Sequence, residues 1–359
     1  MDRDRDETTK GAAMRGRLSR RTLLQASAST AAGIGIAAGP LGSNAAGAAQ
    51  PLIALVHTQA AGDNGPIDSM IASLRKLAQE KGMQARTIYA ADPATYESIF
   101  KTLGNAGAAI VVTTFNEVAQ PLKAVAPSFP KTKFIQLFAD PFQPPIPNVV
   151  TVSYDYYLGC YLSGLFGGRL SKSGKLGYIG GASLPGLNAD LNGFKAAAAV
   201  VGPNVSVTGA FAGSFQDPAK GREIANQMYQ SGVDYIQTDS AATDTGIIKA
   251  ATEGDGRLVS AISKQQFKLG PKAVIAIVKL DFGLSLYTEA ARALAPGWTG
   301  GHVATGLKGG IIDFELSDVF LGEGSPDVVA KAKQLWPAID AAKQQIIAGT
   351  LKVPFNTAL

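Results

Sequence analysis

The sequence predicts an α/β fold of two Rossmann-like lobes, each built on a parallel sheet and joined by a hinge. Three observations lead there. Short β-branched or apolar runs alternate with helix-length segments; the alternation pauses at the Pro-rich stretch Pro141–Pro147 and then begins again; and about 310 residues follow residue 48, enough for two domains of ordinary size.

Before the pause, strands are expected at Leu52–His57, Gln84–Tyr89, Ala108–Thr113 and Lys133–Phe138. After it they are expected at Lys175–Ile179, Val205–Phe211, Tyr235–Thr238 and Arg257–Ile262. Helices fall between them, near Ile67–Lys81, Ala94–Asn105, Asn116–Ala126, Tyr156–Ser171, Gly186–Val201, Pro218–Ser231 and Thr245–Gly254. Strands spaced by helices connect right-handedly, with helices on both faces of the sheet. The helix starts agree. Asp92-Pro93 and Asp217-Pro218 each set a capping carboxylate before a proline at the first helical position. Thr114 with Glu117 reads as a capping box. The two lobes are expected to join near residues 150–154, and the segment after Ser325 reads as helical packing at the end of the second lobe.

The first 48 residues have a different character. A charged stretch ends in Ser19-Arg20-Arg21-Thr22-Leu23-Leu24, a charge-free Ala/Gly/Ser/Ile run follows from Ala26, and Ala46-Gly47-Ala48 offers a small-residue cleavage site. That order describes a secretory signal, and the paired arginines resemble its twin-arginine variant. The apolar run is short and weak for a membrane span, and with no cysteine near the cleavage site no lipid anchor is expected. The expected location is periplasmic. These 48 residues hold seven of the chain's 33 basic and four of its 28 acidic residues, so the remainder is nearly neutral. Such a chain lacks the basic stripe that nucleic-acid binding requires.

Little in the sequence carries enzyme chemistry. His57 and His302 are the only histidines, neither has a carboxylate beside it in sequence, and no His/Cys cluster offers a metal site. Gly177–Gly181 does not spell a dinucleotide fingerprint, and Ser173-Gly174-Lys175 lacks the Walker spacing. The single cysteine, Cys160, lies in an apolar helical stretch that implies burial. No catalysis and no cofactor are expected.

Binding at strand ends is the remaining chemistry. In open α/β sheets, ligands sit beyond the carboxyl ends of strands. Several of these junctions carry Asp, Asn or Phe: Asp63 and Asn64, Phe115 and Asn116, Asp140, Phe215, and Asp239. Aromatic planes with carboxylates and carboxamides suit a flat, hydrogen-bonding heterocycle, stacked on its faces and paired at its edges. Each residue also has a plainer role open to it: Asp63 and Asn116 as helix caps, Phe215 as core.

From about Pro51 to Phe314 the chain resembles the basic membrane protein family of ABC-transporter solute-binding proteins, of the purine and purine-nucleoside type. The resemblance is carried by Gly62-Asp63-Asn64-Gly65 with Asp68, Lys175-Leu176-Gly177-Tyr178-Ile179-Gly180-Gly181, Asn192-Gly193-Phe194, and Gly213-Ser214-Phe215-Gln216-Asp217-Pro218. Ser231-Gly232-Val233-Asp234 and Gly306-Leu307-Lys308-Gly309-Gly310 extend it. It implies a type I periplasmic-binding-protein fold crossed three times by the chain, with residues 49–153 and about 280–309 in lobe I, and 154–279 and about 310–359 in lobe II. It implies that Asp63, Asn116, Asp140, Phe215 and Lys279 face the ligand, and that a membrane ABC permease reads the loaded state of a monomer. Three departures bear on the ligand. Gly65-Pro66-Ile67 replaces an aromatic; Ala261-Ile262-Ser263 aligns where the family's ribose-binding Asp would stand; and Thr238-Asp239-Ser240 resembles members associated with free purine bases. Another heterocycle or polar metabolite is the alternative ligand. A hydrolase on the same fold is a second class, and a transcriptional regulator would need a helix-turn-helix where residues 1–48 offer a signal.

Overall fold

The computed structural model describes residues 50–62 and 65–359, so the expected signal over residues 1–48 and the candidate site residues Asp63 and Asn64 lie outside the described residues. In chain order the first half runs β1 (Leu52–His57), α1 (Pro66–Lys81), β2 (Gln84–Tyr89), α2 (Tyr96–Asn105), β3 (Ile110–Thr114), α3 (Ala119–Val125), β4 (Lys133–Leu137), β5 (Val149–Tyr154), α4 (Tyr157–Leu170), β6 (Lys175–Gly180) and α5 (Pro185–Val201). The rest runs β7 (Ser206–Phe211), α6 (Pro218–Gln230), β8 (Tyr235–Asp239), α7 (Asp244–Thr252), β9 (Leu258–Ala261), β10 (Val274–Leu280), α8 (Phe282–Leu294), β11 (Gly301–Thr305), β12 (Ile312–Leu316), α9 (Asp318–Glu323) and α10 (Pro326–Ile347).

Two six-stranded sheets result, in the orders β11-β5-β4-β3-β1-β2 and β12-β10-β9-β8-β6-β7. The first is parallel throughout. The second is parallel except that β12 runs antiparallel to β10 at its edge. The reason is the path of the chain: it leaves the carboxyl end of β11 in the first sheet and enters the second from that sheet's carboxyl edge, so β12 can only run away from it.

Side-chain alternation builds a core on each face of each sheet. In β1, Ile53 and Leu55 pack with Ile67, Met70 and Leu74 of α1, while Ala54 and Val56 pack with Phe100, Val118 and Phe134 on the opposite face. In the second sheet, Tyr178 and Tyr235 join Phe166 of α4 and Phe194 of α5, and Ile179 and Ile236 join Ala225 of α6 and Ile247 of α7. Cys160, on α4, is fully buried in that helix's core.

The chain passes between sheets three times: between Tyr154 and Tyr157, between Leu280 and Phe282, and between Thr305 and Ile312. After the second passage α8 returns to α1, where a Cβ on Gly283 would lie 2.7 Å from the Ser69 carbonyl oxygen. Asp92 and Asp217 cap as the sequence predicts, accepting from Ala94 N and Lys220 N. The capping box expected at Thr114 does not form. Thr114 is the buried last residue of β3 with its hydroxyl unpartnered among the described residues, and Glu117 accepts instead from Thr58 Oγ1 at 2.6 Å. Residues 352–359 run extended along α5, held by Asn188 to the Thr357 carbonyl and by Asn192 to those of Asn356 and Ala358.

Candidate functional site

All three passages connect at carboxyl ends of strands, those of β5, β10 and β11, so the carboxyl edges of the two sheets meet at the hinge. The candidate residues gather on these edges.

On the first lobe the chain turns sharply after β3 and β4. Phe115 has φ 70° and ψ 158°, and Phe138 has φ 57°. Side-chain-bearing residues hold such conformations at a cost of about 1–3 kcal/mol, and only where the surroundings impose it. Here the Gln136 carboxamide donates to the Phe115 carbonyl at 2.9 Å. The two rings pack together, 5.6 Å between centroids, and Phe138 stacks on Phe282 at 5.2 Å and lies 4.8 Å from Tyr154. The Tyr154 hydroxyl meets Ser285 Oγ at 2.7 Å. The strain therefore turns two phenylalanines into an aromatic group at the sheet edge, while Asn116 and Asp140, the polar residues just beyond them, stand exposed. Thr113 Oγ1 and Gln136 Oε1, cross-strand neighbours beneath this edge, have no hydrogen-bond partner among the described residues.

On the second lobe, the Phe215 ring lies so close to Gly181 that a Cβ there would come within 2.3 Å of it. Gly181 N donates to the Asp239 carbonyl at 2.9 Å, so Phe215, Gly181 and Asp239 are contiguous. The Asp239 carboxylate accepts from Tyr178 Oη at 3.3 Å. Burial pushes Asp239 up to about 6 and Asp244 up to about 7, and raises Asp190 well above the carboxylate range, with the charge of Asp239 adding to it. Ser240 N and Oγ both donate to Asp244 Oδ1, at 3.0 and 2.5 Å.

Ser263 is occupied locally: its hydroxyl caps the short 3₁₀ turn Lys264–Leu269, and Gln266 Oε1 accepts from Ile262 N and Ser263 N. Lys279 is ion-paired, its Nζ 2.8 Å from Glu315, whose other oxygen takes Lys264 at 2.6 Å. Burial alone would raise Glu315; the two lysines outweigh it and hold the carboxyl below its usual range. Phe115, Phe215 and Asp239 thus sit in built environments, Asn116 and Asp140 are open to solvent, and Ser263 and Lys279 flank a Lys–Glu–Lys chain. Tyr154, Phe282, Tyr178 and Asp190 belong to the same edges and were not anticipated, whereas Phe138 lies in the strand-end junction Phe138-Ala139-Asp140 that the sequence offers. Tyr154 and Phe282 open or close segments with no distinct motif; Asp190 lies mid-helix, 49 positions from Asp239 in the numbering.

Catalytic geometry is thin among the described residues. His302 meets Ser153 Oγ at 3.0 Å through Nε2, but its Nδ1 takes the Thr151 hydroxyl at 2.8 Å, the place where a triad would put a carboxylate. His57 Nδ1 bonds the Gln59 carbonyl, with its ring stacked on Tyr89. Among the described residues, no group of three His, Cys, Asp or Glu is set to hold a metal.

Two α/β lobes crossed three times, with aromatic and acidic side chains collected at the carboxyl edges of their sheets, have the architecture of the type I periplasmic-binding fold. The same fold is found in an ABC transporter solute-binding protein from Aeropyrum pernix (TM-score 0.70, 21% identity, 85% of this chain and 94% of that one) and another from Conexibacter woesei (0.69, 21%, 86% and 100%). Residues 51–349 match the Bmp family, described as ABC transporter substrate-binding protein PnrA-like, and the chain belongs to that family. Basic membrane protein A2 of Borrelia garinii subsp. bavariensis is 25% identical over 310 residues, 85% of this chain and 89% of the relative. ABC substrate-binding proteins work outside the cytoplasm, deliver small molecules to a permease and are not enzymes. No described helix is long and apolar enough to cross a membrane.

Proposed function

We propose that the chain captures a purine base or purine nucleoside between the lobes. The supporting observation is the pairing of two unlike surfaces: the aromatic group built on strained Phe115 and Phe138, and the Phe215–Gly181–Asp239 edge with its acceptor. A purine offers two π faces to such rings and N–H groups to such a carboxylate. Asp63, Asn64, Asn116, Asp140, Ser263 and Lys279 complete the site in this reading. With Ser263 a cap and Lys279 held by Glu315, ribose gains little, so free base binds at least as well as nucleoside. Calorimetric titration with adenine, guanine, hypoxanthine and their nucleosides tests this; a nucleoside binding a hundredfold tighter than its base would sink it. Asp239→Ala should weaken base binding by roughly 30–150-fold, for a loss of about 2–3 kcal/mol. The protein acts as a monomer exported by the twin-arginine route without a lipid anchor. Replacing Arg20 and Arg21 with Lys should leave uncleaved precursor inside the cell.

A further inference from the structure

We propose that the fully buried Thr243 and Asp244 are positioning residues that tie three carboxyl-edge loops of the second lobe into one plate, so that Phe215 and Asp239 are set before a ligand arrives. This rests on the reading of Phe215 and Asp239 as ligand-facing.

The loops follow β7, β8 and β9 and span residues 212–217, 240–243 and 262–263. β6 lies between β7 and β8 in the sheet, so no strand ladder holds the ends of those two together. Thr243 supplies that tie. Its hydroxyl donates to the Ser214 carbonyl at 3.0 Å and accepts from Asp217 N at 2.9 Å. The two contacts bracket Phe215, whose ring lies against Gly181, just past the end of the intervening β6. Asp244 makes the second tie. Its Oδ1 takes Ser240 N and Oγ, beside Asp239, and its Oδ2 takes Gln266 Nε2 at 3.4 Å. Gln266 Oε1 in turn accepts from Ile262 N at 2.9 Å and Ser263 N at 3.2 Å, where β9 ends. The loops carrying Phe215, Asp239 and Ser263 are therefore all held from the one short segment between β8 and α7.

Backbone and packing show the same grip. Ala241, inside that segment, holds φ 54°, a conformation that a residue with a side chain keeps only where its surroundings impose it. Beside it, α6 and α7 approach so closely that a Cβ on Gly221 would lie 2.5 Å from the Thr243 carbonyl oxygen. The Thr243 hydroxyl gives its one proton to Ser214, so it has no donor left for a ligand. Its part is support. An edge fixed in advance lowers the cost of ordering loops when a ligand binds.

Thr243→Val and Thr243→Ser form the discriminating pair: valine keeps the shape without the hydroxyl, and serine keeps the hydroxyl. Without ligand, amide exchange at Asp217 should quicken about tenfold or more in Thr243→Val and stay close to the parent in Thr243→Ser. In the parent, the amides of Asp217, Ser240 and Ile262 should respond to urea with one common slope, as parts of one opening unit. Adenine affinity, titrated by calorimetry well below the melting range, should fall about tenfold in Thr243→Val, with the loss in the entropy, and return in Thr243→Ser. A hydroxyl that only stabilised the fold would lower the melting temperature and leave the affinity of the folded protein unchanged. Unaltered Asp217 exchange in Thr243→Val, separate urea slopes in the parent, or a lowered melting temperature with adenine affinity intact would each overturn the proposal. The parent's slopes decide the matter even if Thr243→Val does not fold. If exchange and slopes behave as stated but the parent binds no purine, the plate stands and the purine reading falls.

Discussion

At the scale of single residues, the informative feature is where strain and burial are tolerated. Phe115 sits in a backbone region that glycine enters freely. Phe115 is half-buried, so truncating it to alanine should cost less than the ~3–5 kcal/mol ordinary for a fully buried phenylalanine. Phe115→Gly removes the same ring and releases the strain, so it should be more stable than Phe115→Ala by about 1 kcal/mol or more, with both losing ligand binding; urea denaturation of the pair checks the order. Asp244 makes a pH prediction. Its folded pKa, about 7, stands above the ordinary carboxylate value because burial penalises its charge. An acid raised in this way contributes stability that is complete below its unfolded value and is lost as pH rises through about 7. Asp239 acts in the same sense through about 6. Unfolding midpoints should therefore carry a component that declines between about pH 4 and pH 7 and levels off above, and Asp244→Asn, which keeps an acceptor for Ser240, should flatten it. A variant with the parent's slope would show that Asp244 is ionised throughout.

At the scale of elements, the sequence was most legible where period and punctuation agree. β1 and β2 fall where the apolar runs place them, and the caps at Asp92 and Asp217 form as the Asp-Pro pairs require. Four strands and two helices, α8 and the six-residue α9, were missed, most of them for identifiable reasons. β5 follows directly on the Pro-rich loop, which hides its start. β10, Val-Ile-Ala-Ile-Val-Lys-Leu, is a buried run without alternation and stands too soon after β9 for a helix between them. β11 and β12 are five residues each, with mixed burial, and their partners lie in different sheets. The helix α8 was passed over because its lobe I role depends on a strand not yet seen. The candidate site was legible as a set of strand ends, which is where Phe115, Phe215 and Asp239 lie. Its supporting residues were not, because Phe282, Tyr178 and Asp190 reach the site only through the topology. The extended segment beyond α10 gives a test at this scale. Removing residues 353–359 deletes three carboxamide–carbonyl bonds and the Phe355–Tyr157 ring contact, 5.2 Å between centroids. At about 0.5–1.5 kcal/mol net per bond, the loss should be a few kcal/mol. A melting temperature unchanged by the deletion would mean that the strap is only laid on the surface.

At the scale of the whole molecule, three thin connections join two well-packed bodies, an arrangement in which closure costs little and a ligand decides it. A ligand that binds only the closed, native form stabilises by about 2.7 kcal/mol at a hundred times its Kd. Saturating adenine should raise the melting temperature accordingly and shrink the radius of gyration in solution scattering. Stabilisation without compaction would describe a preformed cleft.

The same three passages govern how the molecule is made. Synthesis runs from residue 1 upward, yet the first sheet lacks its edge strand β11 until residue 305 has emerged, long after β6 to β10 have appeared. The second sheet is incomplete until β12 follows, and its covering helix α10 comes last. Neither lobe exists as a contiguous length of nascent chain, so a ribosome-bound intermediate from which β5 has emerged and β11 has not must expose the flank of β5 that β11 later covers. Such an unpaired flank is the kind of surface that holdase chaperones shield and that neighbouring copies pair with. Assembly of this protein is thus a single late event rather than a relay of two domains, and cutting its gene at the hinge would yield two fragments that each need the other to fold.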